Sequence, residues 1–244
     1  MAEPVKRPYR SPARAAAAAV TRERIREAAG RLFTTQGFTA TTMKQVAADA
    51  GVGERTLYDA FPTKAKLFGH TLAVATVGDE QPIRVAERPE IIAAHEADDP
   101  RQAIELFVAY GSDLLDRAGD LIMISVEAAG ADPDMRAAAD AGSRAHHEVM
   151  LAFAQALDAH RALRPGLDPM SAADILYALS SPHMHQLLRR HRGWSARRYR
   201  AWLTEALERE LLPPPEVFGR STGTPTSLSP TPQEWTSPDI DGVQ

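Results

Sequence analysis

Apolar residues along this chain recur at helical spacing rather than in alternation. Ile25, Ala28, Ala29, Leu32 and Phe33 fall on one side of a helix, and Gly37 follows at a position suited to a C-cap. A shorter apolar face of Val46, Ala47 and Ala50 ends at Gly51, and Leu57 is the inward position of the next short segment, Gly53 to Asp59. Three later helices start at Asp99-Pro100, Asp132-Pro133 and Asp168-Pro169. In each, the aspartate can accept a bond from a free N–H and the proline suits the first helical position. Ser195, after Gly193-Trp194, marks a further start. No stretch alternates as a strand between hairpin signals. The pattern predicts an all-α fold, with a small N-terminal helix-turn-helix domain and a larger helical domain.

Residues 101–130 are apolar on more than one helical face, with Ile104, Phe107, Val108, Tyr110 and Leu114, then Leu121, Ile122, Met123, Ile124 and Val126. Such helices form core, although the same residues suit the wall of a ligand cavity. The last helix carries Tyr199, Trp202, Leu203, Ala206, Leu207 and Leu211 on one side, for packing on its own core or on a partner.

Charge divides the chain. The 244 residues carry a net charge of -4, yet residues 1–78 hold 12 Lys or Arg against 6 Asp or Glu, and residues 79–244 hold 16 against 26. A basic end beside an acidic remainder suggests a nucleic-acid surface on the former. Residues 1–20 read as a basic arm, disordered to about Arg14, and a helix lead-in through the alanine run. Residues 213–244 are rich in Pro, Ser, Thr and Gly and read as a disordered tail. Cysteine is absent, which excludes disulfides, thiolate metal sites and cysteine nucleophiles. No apolar run approaches the roughly 20 residues of a membrane span, and the N-terminus lacks the apolar stretch of a secretory signal. The expectation is a soluble, cytoplasmic protein without membrane contact.

The informative stretch is Thr41 to Phe68, TTMKQVAADAGVGERTLYDAFPTKAKLF. Thr42 and Gln45 have the spacing of a capping box. The small residues Ala47 and Gly51 allow two helices to cross closely, and Val52 packs into their angle. The second helix then presents Glu54, Arg55, Thr56 and Tyr58 outward, where a major groove can receive them. Arg55 suits two-point bonding to guanine. Its alternative is an exposed helix charge, as a surface position is for Lys44 and packing is for Tyr58. Thr63 can cap a following helix whose first turn carries Lys64, a ready phosphate site.

The run AGVGERTLYDAFPTKAKLF, preceded by GRLFTTQGFTATTMKQVA, resembles the N-terminal domain of the tetracycline-repressor (TetR) family over about residues 21–75. RGWSARRYRAWLTEAL near the other end is similar to the last helix of many such regulators. The resemblance implies a DNA-binding domain at 21–68 and a ligand-binding and dimerisation domain at 69–212. It also implies phosphate contacts from Thr42, Tyr58 and Lys64, with base reading by Glu54, Arg55 and Thr56. Gly53 stands where a serine or similar residue is more usual, which removes one contact or cap. The implied partners are double-stranded operator DNA, a small-molecule effector and a second copy of the chain. The helices around 168–190 and 195–211 would pair across a twofold axis.

Placed by helix face and by the family's plan, the candidate ligand side chains are Phe107, Tyr110, Met123, Glu127, His147, Met150, Phe153 and Tyr177. No constellation argues catalysis, so the chain is not read as an enzyme, and no cofactor is implied. His146-His147 and His183/His185 lack the i, i+3 or i+4 spacing of helical metal ligands, which leaves only a site assembled from distant helices. A ligand-released repressor is the functional expectation. The rival is a DNA-binding activator or repressor controlled by a partner protein, without a small molecule.

Overall fold

The computed structural model describes residues 12–78 and 84–214, and every regular element among them is helical. Most of the expected arm and nearly all of the expected tail lie outside the described residues. The first helix, α1 (Pro12–Ala40), begins inside the stretch expected to be disordered to Arg14, since the alanine run continues the helix backwards. Gly37 interrupts it with φ 78° and ψ 169°, near the predicted end. Thr41 then ties the chain back, its hydroxyl donating to the carbonyls of Gly37 at 2.8 Å and Leu32 at 3.2 Å.

Three further helices complete the N-terminal part: α2 (Met43–Ala50), α3 (Glu54–Ala60) and α4 (Lys64–Val77). Phe33, Phe38 and Phe68 form their aromatic centre, with ring centroids 5.0 to 6.0 Å apart. Ile25, Val46, Leu57 and Leu67 close around it without exposure. α4 runs antiparallel to α1 and continues past the expected boundary at residue 68, so the two regions share one helix.

The remaining elements are α5 (Pro89–Glu96), α6 (Pro100–Ala128), α7 (Pro133–Ala159), α8 (Pro169–Leu179), α9 (Pro182–His185) and α10 (Ala196–Leu211). Asp99, Asp132, Asp168 and Ser195 each cap the helix predicted to start there, accepting backbone N–H bonds. α5 has no side-chain cap, and a π-helical turn at Gln186–His191 follows α9.

α6 is the hub. Leu121 and Ala128 enter the N-terminal cluster together with Met135 of α7. Ile104, Phe107 and Val108 enter a second cluster with α7, α8 and α10. There Phe107 and Phe153 stack at 4.1 Å, and Tyr199, Leu203, Leu207 and Leu211 of α10 are buried against them. Ion pairs from α6 hold the outer helices. Asp116 receives Arg189 at 3.0 Å and shares a hydrogen bond with the His185 ring at 3.1 Å, Asp120 receives Arg190 at 2.6 Å, and Asp113 pairs with Arg200.

Candidate nucleic-acid interface

The turn between α2 and α3 is fixed by local chemistry. Thr42 Oγ1 accepts the Gln45 N–H at 3.2 Å while Gln45 Oε1 accepts the Thr42 N–H at 2.8 Å, the reciprocal pair its spacing predicted. Gly51 ends α2 in the left-handed region at φ 63°, and its N–H bonds back to Ala47 and Ala48. A Cβ there would lie 2.8 Å from Arg24 Nη2. Gly53 caps α3 without a side-chain bond, as a residue with no side chain must.

This turn sets Leu57 inward at 0% exposure and leaves Glu54, Arg55, Thr56 and Tyr58 on the surface. The Arg55 side chain is 95% exposed, with a 4.0 Å contact to Asp59. A tie that long and that exposed holds little energy, so the guanidinium is available. Tyr58 is 47% exposed, its ring partly open to solvent. Lys44 projects from α2 into solvent.

Lys64, expected at a phosphate, is bonded within the chain. Its ammonium donates to the carbonyls of Phe38 at 2.7 Å, Thr41 at 3.0 Å and Thr39 at 3.4 Å, and lies 4.3 Å over the Phe38 ring. Burial lowers its pKa, and the attraction of Asp132 opposes that shift. An ammonium has three donors, and all are occupied by the chain's own carbonyls. Lys66 is the exposed lysine of that turn.

Three arginines of α1 brace the motif, and sequence reasoning missed them. Arg24 donates to the Ala50 carbonyl at 2.6 Å, Arg31 pairs with Asp49 at 2.9 Å, and Arg22 donates to Ala60 at 3.3 Å while lying 4.6 Å over the Phe61 ring. The residual signal was the basic run of α1, whose partners stand far along the chain.

The eight candidate ligand residues divide. Phe107, Met150 and Phe153 are buried in the second cluster, with Tyr110 and Tyr177 packed on its edge. His147 lies 3.4 Å from Asp174 and edge-on to Tyr177, whose hydroxyl shares a 2.7 Å bond with Ser143. Met123 is buried outside that cluster, and Glu127 is exposed. The void beside Phe153 is only about 10 Å³, room for roughly one water. A larger cleft of about 550 Å³ is lined by none of the eight; its walls come from α1, α4 and α6.

A braced two-helix motif with an exposed second helix defines a helix-turn-helix DNA-binding protein. Residues 25–71 match the family described as "Bacterial regulatory proteins, tetR family", so this part of the chain is similar to the DNA-binding domain of those transcription regulators. No curated relative matches the chain in sequence. Among solved structures, NalD, the secondary repressor of the MexAB-OprM multidrug efflux pump in Pseudomonas aeruginosa, is similar with TM-score 0.62 and 24% identity, over 81% of this chain and 98% of that one. A SmeT–triclosan complex is similar with TM-score 0.57 and 20% identity, over 86% and 99%. The reduced form of NemR from E. coli is similar with TM-score 0.60 and 18% identity, over 80% and 100%. At these identities the likeness establishes the fold. Among the described residues no helix is long and apolar enough to cross a membrane.

Proposed function

We propose that the protein is a cytoplasmic, ligand-responsive repressor that binds a near-palindromic operator as a homodimer. The observation that carries this reading is α3 itself: held from behind by Leu57 and by the α1 arginines, it offers Arg55 to solvent with almost no competing bond. Glu54 and Thr56 read bases beside it, while Tyr58, Thr42 and Lys44 meet the phosphate backbone. Two copies of α3 spaced by about 34–36 Å fit successive major grooves.

The dimer is formed by α8 with the outer face of α7. The apolar stripe of α10 is spent on the subunit's own core. Ala137, Ala138, Ala141, Gly142 and Ala145 of α7 are exposed, as is Met170 of α8 at 52%. Ligand response is supported by the solved SmeT–triclosan relative. A coupling of about 1–3 kcal/mol would lower operator affinity roughly 5- to 150-fold. The packed Phe107–Phe153 stack favours one other reading, control by a partner protein, because it leaves little room at the expected pocket.

Selection from random duplex DNA at fixed salt, with wild type and Arg55→Ala in parallel, tests the core of the proposal. An enriched palindrome that relaxes in both half-sites in the variant is expected. A folded wild type that enriches no sequence would overturn specific operator binding.

A further inference from the structure

The roomy cleft lies away from every residue so far given a role in binding. Its volume of about 550 Å³ falls within the roughly 300–1,000 Å³ of small-molecule sites. Val20, Glu23 and Arg26 of α1 form one wall, Val74 and Gly78 of α4 the second, and Arg117 of α6 the third. The helices meet at the joint between the DNA-reading part and the rest of the chain.

Arg117 decides the chemistry. Its Nε and Nη2 donate to the carbonyls of Ala75 and Thr76, both at 3.4 Å, so they hold the last turn of α4 only loosely. Among the described residues no carboxylate pairs with it, and the side chain is exposed. A guanidinium with loose carbonyl partners and spare donors is suited to a two-point grip on an anion. Glu23 stands 3.8 Å from Arg26 along the α1 wall, across the cleft from Arg117. Val20, 57% exposed, and Val74 supply an apolar path leading away from the charge. Gly78, at φ 85°, is required here by its left-handed backbone, and Arg117 Nε lies within contact distance of it.

We infer that this α1–α4–α6 cleft binds an amphiphilic anion, a carboxylate on a short aliphatic chain, with the carboxylate on Arg117 and the chain along Val20 and Val74. The occupant would touch helices on both sides of the joint. Its consequence for operator affinity rests on the repressor reading above, but its binding does not.

Binding is therefore tested without DNA, by titration calorimetry on the full chain, with decanoate as probe and decyltrimethylammonium as its cationic counterpart. Saturable decanoate binding is expected, weakened about tenfold or more by Arg117→Met and by less in Arg117→Lys, because the lysine keeps the charge but not the two-point grip. Val20→Glu, on an exposed rim position, should weaken it too without touching the fold. Thermal unfolding of each variant verifies that it is folded. Equal affinity in wild type, Arg117→Met and Val20→Glu overturns the inference. So does equal binding of the cation, or no saturable decanoate binding at all.

Discussion

Arg55 and Lys64 carry the same charge in opposite surroundings. Arg55 is almost wholly solvated, and its removal costs the fold nothing specific. Arg55→Ala should leave the urea midpoint within error while discrimination at one base position in each half-site falls by about 1–3 kcal/mol. Competition binding against single-base operator variants measures that loss. Lys64 serves the fold instead, satisfying three carbonyls where the chain leaves α1. Lys64→Met keeps the stem but strands those acceptors, so stability should drop by about 1–3 kcal/mol in urea unfolding. If Lys64 acted mainly on phosphate, the variant would instead keep its stability and lose salt-dependent DNA affinity.

At the scale of elements, the caps decide where helices begin and end. Gly51→Ala would force a side chain into the left-handed region and into Arg24, for a loss of about 1–2 kcal/mol or more. Thr42→Ala removes half of the reciprocal cap and should cost about 1 kcal/mol in the same assay. These starts were legible in the sequence because a cap involves neighbours only a few residues apart: Thr42 with Gln45, Asp132 with Met135, Ser195 with Arg198. α5 was not legible, as no side chain caps it and its apolar residues Ile91 and Ala94 acquire meaning only against α6. The same holds for the site. The outward face of α3 follows from one inward leucine, whereas the tasks of Arg22, Arg24 and Lys64 depend on contacts with distant parts of the chain. Most of the expected ligand residues stand in or on one packed cluster for that reason: a helical apolar pattern marks what is inside but not whether the inside is filled.

For the whole molecule, burial of histidines sets an acid limit. Desolvation, aided by neighbouring His147, pushes His146 down to about 4 from the ordinary 6.5, and burial lowers His95 and His185 as well. The unfolded chain therefore takes up protons before the folded one does. Stability contributed by the neutral rings is complete above pH 6.5 and is lost as pH falls toward 4. The unfolding temperature should hold level near neutrality and decline through that window, and His146→Gln should decline less steeply. A parallel decline in the variant would rule out His146 as a source. The joint at α4 has a mechanical consequence too. Its 14 residues make a rod about 20 Å long, with Arg117 at one end and the reading helix seated at the other. Pivoting that rod by about 10° sweeps its far end by about 3.5 Å, close to one base-pair step. In the proposed twofold pair the dyad repeats the sweep in the second copy, so a small angular slip at Gly78 would put both readers out of phase with the groove.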